Sequence, residues 1–442
     1  MKIGVVGAGP SGLCLGMFLE HQVELLEARS EPGGTAGTRV VEGYTFDNGP
    51  HIMFSKNKEI LDFMVSSLGE NVHRCRRKNR IAYAGRLVKY PFENDLSSLP
   101  AEEAYECVRD YFINPWRERY PEPADLREWF LHHFGEAMCV KYFFPYNEKV
   151  WNVPVAGLSM LWADRIPQPP PEDVLKSAMG ISSEGYLHQL HYHYPLRGGY
   201  QAISEAWAAR VRPSYEFEVT RIALPADGGV LVSDGSEERR YDRVVSTMPL
   251  DRLVEVADFE IPDRVRDAIA ALMVNPMIVV SLGIAHKDPE QMTAVYFPKP
   301  EFKVNRISFP ATFSPHNAPA GHHSIQAEIT CRADDPVWAW SDSQARDHVV
   351  DGLVEAGIVA SPESVVFSYV HRVDHAYVVY QRGYEEHAAV VREWFPQQGI
   401  DLCGRFSYFE YVNVDGAVAR AMEVAGELNG RPVRLDAMRA VA

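Results

Sequence analysis

Apolar and polar residues alternate with two different periods along the chain, and the changes of period divide it into segments. Residues 2–6 form a short β-type run, followed by the glycine-rich GAGPSG, an apolar helix through Phe18 and a second strand, VELLEA, at residues 23–28. Strand, glycine turn, helix and strand in this order are typical of a βαβ unit with a parallel sheet. A strand at GIDLCG and a helix beginning near VDGAVARAMEVA close the chain. They predict that the C-terminal segment completes the first α/β domain.

The middle of the chain changes first to a helical and then to a β period. Between about residues 101 and 180 the helical segments AEEAYECVRDYF and DLREWFLHHFG precede the proline-rich RIPQPPPED. After YPLRGGY, a helix at residues 201–210 leads into the short strands GGVLVSD and RVVSTMP. Residues 276–372 then give successive β-runs, which are MIVVSLGIA, AVYFP, VNRISFPATF, HSIQAEITC and SVVFSYVHR. These runs predict an antiparallel sheet.

We therefore predict an α/β fold in which a discontinuous Rossmann-type domain carries a helical insertion domain and an antiparallel β-sheet domain. A chain of 442 residues is long enough for two or three such units. The Rossmann-type domain is predicted at residues 1–85, 200–265 and 392–442, the helical domain at 98–185, and the sheet domain, which would hold the substrate, at 86–97, 186–199 and 266–391.

Composition restricts the partners of the protein. The formal net charge of -16 argues against a nucleic-acid partner, because binding a polyphosphate surface needs clustered Lys and Arg. Any phosphate site must therefore be local. No apolar segment is long enough to span a membrane, and the N-terminus lacks the features of a signal peptide. The cysteines have neither the spacing of a metal site nor that of a disulfide framework; these cysteines are Cys14, Cys75, Cys107, Cys139, Cys331 and Cys403. We therefore expect a cytoplasmic protein. The sequence leaves its oligomeric state open.

The first glycine turn predicts a dinucleotide site. Gly7 permits the tight turn, Gly9 lets a pyrophosphate approach the backbone, and Gly12 allows the helix to pack closely on the strand. Glu27 ends the second strand, where a carboxylate can accept hydrogen bonds from ribose hydroxyls. The glycines alone would be equally consistent with a plain tight turn. The order of strand, glycines, helix, strand and acid favours a bound dinucleotide.

A histidine follows a rigid turn in YTFDNGPHIMFSKN. Gly49 lets the backbone approach another group and Pro50 fixes its φ, so His51 would be held firmly at a strand end. Taken alone, the pattern favours a turn whose histidine is merely solvated. The remaining motifs favour a functional role.

A second glycine pair narrows the cofactor. ARSEPGGTAGT, after the second strand, supplies Gly33, Gly34 and Thr35. Together with the first turn it resembles the FAD-binding signature of the amine oxidase and protoporphyrinogen oxidase superfamily. LCGRF and VNVDGAVARAM resemble the segment that returns to the isoalloxazine in these flavoproteins, where a helix N-terminus would stabilise reduced flavin. The resemblance implies FAD contacts for Arg405, Asp415 and Gly416.

From residue 1 to about residue 425 the chain resembles the UDP-galactopyranose mutases, flavoenzymes that interconvert pyranose and furanose forms of a nucleotide sugar. The resemblance rests on GPHIMFS, KYPFEND, PYNEKVWNVP, WADR, YPLRGGY, YFP with NRISF, HRVDHAY and GRFSYFEYVNVD, in this order. It implies that reduced FAD is the active form, with N5 attacking the anomeric carbon to give a flavin-sugar adduct. NAD(P)H or a flavin reductase would supply electrons, and the partner would be a nucleoside diphosphate sugar.

The same resemblance implies a catalytic set. His51 would lie beside the isoalloxazine, Arg165 and Arg306 would hold the diphosphate, and Tyr377 and Tyr411 would share its oxygens. Guanidinium groups suit this role because their forked donors meet phosphate oxygens in pairs. For one arginine alone, a surface ion pair would be the simpler interpretation. Four matched residues in one order outweigh it.

Further positions resemble contacts to the nucleoside and sugar. Taken singly, the aromatic ones would be ordinary core residues. Glu93 stands where relatives carry glutamine, Gln189 where they carry asparagine and Phe313 where they carry tyrosine. An ionised carboxylate only accepts hydrogen bonds, so cytosine or guanine would suit Glu93 as well as or better than uracil, and base and sugar stay open. The implied substrate residues are Tyr90, Phe92, Glu93, Asn147, Trp151, Gln189 and Tyr296.

Other functions compete with the mutase. HQLHYHYP packs His188, His191 and His193 closely, but no acid or cysteine follows at ligand spacing, so we predict no metal site. A flavin-dependent oxidoreductase of the amine oxidase or desaturase type would take hydride onto FAD and needs no arginine and tyrosine clamp. A binder of the GDP-dissociation inhibitor kind would share the architecture without using flavin.

Overall fold

The computed structural model describes residues 1–181, 190–286 and 290–435. Its strands are β1 (Lys2–Val6), β2 (Gln22–Leu26), β3 (Thr38–Val41), β4 (Tyr44–Asp47), β5 (Val72–Arg76), β6 (Asn79–Tyr83), β7 (Arg86–Lys89), β8 (His191–Pro195), β9 (Arg221–Ala223), β10 (Val230–Ser233), β11 (Glu238–Tyr241), β12 (Arg243–Ser246), β13 (Ala257–Asp258), β14 (Met273–Ile284), β15 (Ala294–Tyr296), β16 (Arg306–Ser308), β17 (His323–Thr330), β18 (Val365–Val379) and β19 (Ile400–Leu402).

The α-helices of the same residues are α1 (Pro10–Phe18), α2 (Lys58–Ser66), α3 (Ala101–Phe112), α4 (Trp116–Arg119), α5 (Leu126–Phe134), α6 (Glu136–Met138), α7 (Phe144–Trp151), α8 (Pro171–Ala178), α9 (Gln201–Val211), α10 (Leu250–Val256), α11 (Asp263–Ala271), α12 (Pro310–Phe313), α13 (Asp342–Glu355), α14 (Tyr384–Gln397) and α15 (Val414–Asn429). Short 3₁₀ and π turns lie between them, including Met160–Arg165 and Arg405–Phe409.

A four-stranded parallel sheet has the order β19-β12-β1-β2. The central strand β1 is apolar, and its Ile3 and Val5 are fully buried, because both faces of a parallel sheet are covered. Helix α1 packs against α9 and α15. The C-terminal strand and helix therefore complete the domain that the N-terminus begins, as the sequence predicts.

A seven-stranded sheet has the order β18-β14-β17-β16-β15-β6-β7. Its neighbours pair antiparallel except β15 and β6, which are parallel. Every residue of β17 is buried, and α13 packs on β14 and β18. The predicted α/β class, with a parallel nucleotide-type sheet and a largely antiparallel second sheet, is confirmed.

Two details differ from the sequence expectations, and the first concerns one end of a predicted domain segment. The other domain limits stay predictions. The expected boundary falls after residue 85, but β6 pairs with β7 and β15 and so belongs to the seven-stranded sheet. The run VNRISFPATF is a strand only at Arg306–Ser308, because Pro310 cannot donate to a strand ladder and instead begins the short helix α12. Among the described helices, none is both long and apolar enough to cross a membrane.

Candidate active site

The turn between β1 and α1 approaches a second glycine turn so closely that side chains would not fit. Gly7 adopts a φ of +99°, and a Cβ on Gly12 would lie 1.8 Å from the Gly7 carbonyl oxygen. A Cβ on Gly34 would lie 3.2 Å from the Cα of Gly9. Helix α1 has no acidic residue in its first turn and no side-chain cap. The two turns thus form a backbone cradle at the positive end of a helix, where a phosphate can approach.

Glu27 holds this cradle together. Its Oε2 accepts from the Ala8 amide at 2.7 Å and its Oε1 accepts from the Arg29 amide at 2.9 Å. The Gly33 amide donates to the Ala8 carbonyl at 2.9 Å, which ties the second turn to the first. Glu27 is therefore an anchor of the turn as well as the predicted ribose acceptor. Thr35 follows on the exposed side of the second turn.

His51 lies on the loop after β4, with its ring against Tyr200 at a centroid distance of 5.2 Å. Its Nδ1 lies 2.7 Å from the Gly49 carbonyl and donates to it, so Nε2 is the acceptor of a neutral ring. Burial lowers the pKa of His51 to about 4, and the charges of Arg405 and Arg306 act in the same direction. The ring therefore stays neutral near pH 7.

Asp47 organises the same loop, although no motif in the sequence singles it out. Its carboxylate accepts from the Thr38 hydroxyl at 2.6 Å, the Tyr194 hydroxyl at 2.8 Å and the Tyr200 amide at 2.9 Å. Burial raises the pKa of Asp47 to about 6, against the effect of these donors. Asp47, four residues before His51, thereby connects three segments: the end of the second glycine turn at Thr38, β8 at Tyr194 and the start of α9 at Tyr200.

The N-terminus of α15 borders the same cavity as the loop of His51. Asp415 and Gly416 lie in its first turn, and Asn413 at its N-cap makes no side-chain cap. Arg405 supports the approach to this helix, because its Nε donates to the Val412 carbonyl at 2.9 Å. The predicted cofactor residues of the C-terminal segment therefore meet the N-terminal ones around one space.

A cavity of about 1200 Å³ extends from this space. The chain as a whole has 60 acidic and 44 basic side chains, yet the cavity has more cations than carboxylates. The cations are Lys56, Arg77, Arg165, Arg306 and Arg392, and the carboxylates are Glu93, Asp164, Glu410 and Asp415. The predicted site residues on its wall are His51, Tyr90, Glu93, Asn147, Trp151, Arg165, Tyr296, Arg306, Tyr411, Asp415 and Gly416.

Arg306 is held by a carboxylate that sequence analysis missed. Its Nε and Nη2 donate to the two oxygens of Glu328 at 2.9 and 2.8 Å, and Nη2 also lies 3.3 Å from the Tyr377 hydroxyl. Arg306 and Glu328 are paired in register on β16 and β17, and Glu328 is only 1% exposed. Burial alone would lower the pKa of Arg306, but Glu328 keeps it well above its usual value. In the sequence, the one indication of this role is that Glu328 is the single acidic residue of the largely apolar strand HSIQAEITC.

Arg165 reaches the same cluster from the 3₁₀ turn before α8. Its Nη2 donates to the Tyr411 carbonyl, and its guanidinium lies 4.8 Å from the Tyr411 ring centroid. Arg405 lies 4.9 Å from the same ring, and the Tyr377 ring stacks on it at 6.0 Å. The structure thus brings together all four residues predicted to hold the diphosphate.

Aromatic side chains line the cavity next to this cluster. Tyr90 and Tyr296 lie 5.0 Å apart between ring centroids. Trp151 stacks on Trp162 at 4.0 Å, and its Nε1 donates to the Asn147 Oδ1 at 3.2 Å. Trp162 was not predicted, because a tryptophan in a short irregular segment carries no periodic signal. These flat walls suit a stacked ring such as a nucleobase.

Phe92 and Tyr377 are predicted substrate residues that do not line the cavity. Phe92 is fully buried and stacks on Tyr142 with 5.1 Å between the ring centroids, and Tyr142, not Phe92, lines the cavity. Gln189 lies outside the described residues, as does His188. Glu93 and Phe313 both line the cavity.

The histidines of HQLHYHYP do not build a metal site where they are described. His191 and His193 belong to β8, whose partner is β5. Among residues 1–181, 190–286 and 290–435, no group of three His, Cys, Asp or Glu side chains could hold a metal ion.

A glycine cradle at a helix N-terminus, beside a parallel sheet and a large ligand cavity, defines a dinucleotide-binding scaffold of the Rossmann type. A sequence profile described as "Flavin containing amine oxidoreductase" matches residues 15–429, and the chain belongs to that family. It is therefore a flavoenzyme with an FAD-type flavin. The cradle fits that group, since it leaves the backbone around Gly9 open where a pyrophosphate would lie.

Individual relatives support the fold more widely than they support an activity. A crystal structure of reduced UDP-galactopyranose mutase matches with a TM-score of 0.89 and 24% identity, covering 97% of this chain and 94% of that one. A candidate protoporphyrinogen oxidase from Exiguobacterium sp. matches with a TM-score of 0.76 and 19% identity, covering 97% and 98%. A 4,4'-diapophytoene desaturase from Methylomonas sp. is 31% identical over 120 residues, which are 26% of this chain and only 19% of the desaturase.

Proposed function

We propose that the protein is a nucleotide-sugar mutase that interconverts pyranose and furanose forms and depends on reduced FAD. The observation that carries the proposal is the cluster of Arg165, Arg306, Tyr377 and Tyr411, of which all but Tyr377 line a cavity that also reaches His51. Two guanidinium groups with two phenols suit a diphosphate. An amine or a polyene carries no phosphate oxygens to accept hydrogen bonds from these groups.

In this proposal FAD, bound in its reduced form, supplies the nucleophile for the anomeric carbon, and no redox equivalent is consumed over a cycle. The protein mainly positions the substrate. Arg165 and Arg306 keep the departed nucleoside diphosphate close, so that its return to the sugar is effectively intramolecular. Glu328 keeps Arg306 charged and fixes its orientation.

His51 would act without changing its charge. Because its Nδ1 donates to the Gly49 carbonyl, the ring can only offer Nε2 as an acceptor. Asp47 accepts from the amide of Tyr200, whose ring packs on His51. The histidine is therefore suited to orient a neighbouring N–H or O–H group rather than to act as a cationic acid.

The stacked and phenolic walls would hold the nucleoside. Trp151, stacked on Trp162, and Tyr90, beside Tyr296, are aromatic residues of the cavity wall on which a base could stack. Glu93 on the same wall would favour a base that offers N–H donors. We therefore include cytidine and guanosine diphosphate sugars among the candidate substrates.

A flavin oxidoreductase is the second candidate, since the family is described by amine oxidoreductase chemistry and a desaturase is among its relatives. The guanidinium groups of Arg165 and Arg306 on the cavity wall disfavour it. An oxidase would consume oxygen or another acceptor in step with substrate, whereas a mutase would not.

The deciding experiment incubates oxidised and dithionite-reduced protein, without oxygen, with a panel of UDP-, dTDP-, CDP- and GDP-sugars, and separates the products by chromatography. We expect an isomer of unchanged mass, formed only by the reduced protein. Boiled protein and the Arg306→Met variant serve as controls. Oxidation of an amine or polyene with flavin reduction, and no isomer from any sugar nucleotide, would establish the oxidoreductase instead.

A further inference from the structure

Lys149 occupies an unusual place on the back of the helix that carries two predicted nucleoside residues. Its Nζ donates to three backbone carbonyls, those of Phe297 at 2.6 Å, Lys299 at 2.7 Å and Val304 at 2.8 Å. An ammonium has three N–H donors, so this cage uses all of them. No carboxylate takes part in these bonds. The ammonium group of Lys149 therefore fixes the backbone at Phe297, Lys299 and Val304.

The caged carbonyls belong to one loop, which joins β15 to β16. The loop closes with the Phe297 amide donating to the Asn305 carbonyl at 3.0 Å. Immediately outside it, Tyr296 and Arg306 are paired in register, and both line the cavity. The ammonium therefore fixes the end of the strand pair that presents the predicted diphosphate arginine.

On the helix side, Lys149 lies between two residues of the opposite face. Successive helical residues are about 100° apart, so Asn147 and Trp151 project together while Lys149 projects away from them. Asn147 and Trp151 line the cavity and are hydrogen-bonded to each other. The Lys149 carbonyl also accepts from the Thr330 hydroxyl at 3.2 Å, which ties the same residue to β17.

We propose that Lys149 is a positioning residue that sets the separation between the nucleoside-binding helix α7 and the diphosphate-binding strand pair β15 and β16. The inference rests on the proposed function, because it assumes a ligand that spans both. A ligand with two joined ends gains affinity from the link only when both ends meet their sites at the right spacing. Lys149 would supply that spacing without touching the ligand.

A change of protonation would loosen the cage. Burial lowers the pKa of Lys149 to about 7, with the nearby charge of Lys303 acting in the same direction and that of Glu301 opposing it. His348, which accepts from the Lys303 amide, faces the loop from α13. A neutral amine has two N–H groups and can hold only two of the three carbonyls.

The test compares a spanning ligand with its two halves. Lys149→Met and Lys149→Gln proteins are titrated with the nucleoside diphosphate that wild type binds most tightly among UDP, dTDP, CDP and GDP, with the matching nucleoside, and with inorganic pyrophosphate. Flavin fluorescence reports binding, and FAD content reports folding. Lys149→Gln keeps two donors and carries the test if the Met variant fails to fold. Lys299→Met is the matched control, since Lys299 lies on the same loop, its exposed side chain pairs with Glu355 at the end of α13, and its carbonyl stays in the cage.

We expect the Lys149 variants to bind the nucleoside diphosphate at least tenfold more weakly, while the nucleoside and pyrophosphate affinities change less than twofold. Wild-type affinity for the diphosphate should also fall as pH rises through about 7, and this dependence should disappear in Lys149→Met. Equal losses for all three ligands, or no loss at all, would overturn the positioning role. If wild type itself binds none of the diphosphates, the proposed function fails first, and this inference fails with it.

Discussion

Replacing Arg306 should affect two quantities that can be measured separately: the stability of the protein and its affinity for a nucleoside diphosphate. In Arg306→Met the carboxylate of Glu328, which is 1% exposed, loses a partner held at 2.8 and 2.9 Å. Removing one member of a buried ion pair costs about 3 to 5 kcal/mol, because the other charge stays buried. Adding Glu328→Met removes that charge as well. The double variant should recover most of the lost stability.

The size of the effect follows from the length of the chain. An unfolding entropy of about 2.1 cal/mol/K per residue gives roughly 0.9 kcal/mol/K for 442 residues. A loss of about 3 to 5 kcal/mol should therefore lower the Tm by roughly 3 to 5 °C in a cooperative transition. Binding behaves differently. Loss of hydrogen bonds to a charged phosphate costs about 1.5 to 3 kcal/mol, or roughly tenfold to a hundredfold in affinity, and the second substitution cannot restore it.

Differential scanning calorimetry and titration with nucleoside diphosphate measure the two quantities on the same four proteins: wild type, both single variants and the double variant. FAD content should remain normal in all of them. A single Arg306→Met variant with an unchanged Tm would refute the argument about the buried carboxylate. A double variant that regained full affinity would show that Arg306 does not bind the diphosphate.

Three further predictions concern the cofactor side and the second arginine. In Gly9→Ala the new Cβ meets nothing closer than 3.8 Å, so the apoprotein should keep its Tm but bind FAD weakly. In Gly12→Ala the new Cβ would lie 1.8 Å from a backbone oxygen, so both the Tm and the FAD affinity should fall. Calorimetry and FAD titration measure the two quantities. Because His51 has a pKa of about 4 when folded and about 6.5 when unfolded, the unfolded state binds more protons between these values, so stability should fall as pH drops from 6.5 to 4, and urea midpoints of His51→Gln should fall less. Arg165→Lys should keep normal FAD content yet weaken nucleoside diphosphate binding, since one ammonium cannot replace a forked donor; equal affinity in both proteins would contradict this.

Local patterns account for what the sequence could predict. The strand, glycine turn and helix at the N-terminus depend on neighbours within a few residues, so the amino-acid order alone assigns a role to Gly7, Gly9 and Gly12. The order of the motifs likewise indicates Arg165 and Arg306 as candidates. Their approach to one cavity depends on the packing of distant segments, which no local pattern encodes.

What the sequence could not predict depends on register and on long-range contacts. Glu328 lies in an apolar run and gains its role only because β16 pairs with β17 so that it faces Arg306. Asp47 accepts hydrogen bonds from Thr38, Tyr194 and Tyr200, and Tyr200 lies 153 residues away from it along the chain. The burial of Phe92 could not be predicted for the same reason, because a residue next to a cavity-lining neighbour can point to either side of a wall. Such contacts have no periodic signal.

The order of strands in the parallel sheet also governs how the chain can fold while it is being made. β1 gains its last strand neighbour only when β12 has been added, and β12 gains β19 later still. The face of α1 that does not pack on α9 is covered only when α15 has been added. At roughly 5 to 20 residues per second, a ribosome needs roughly 20 to 80 s to extend the chain from β1 to β19. Throughout that interval the nascent first helix presents an uncovered apolar face. The yield of folded protein in a cell should therefore depend on chaperone capacity during synthesis, whatever the stability of the finished molecule.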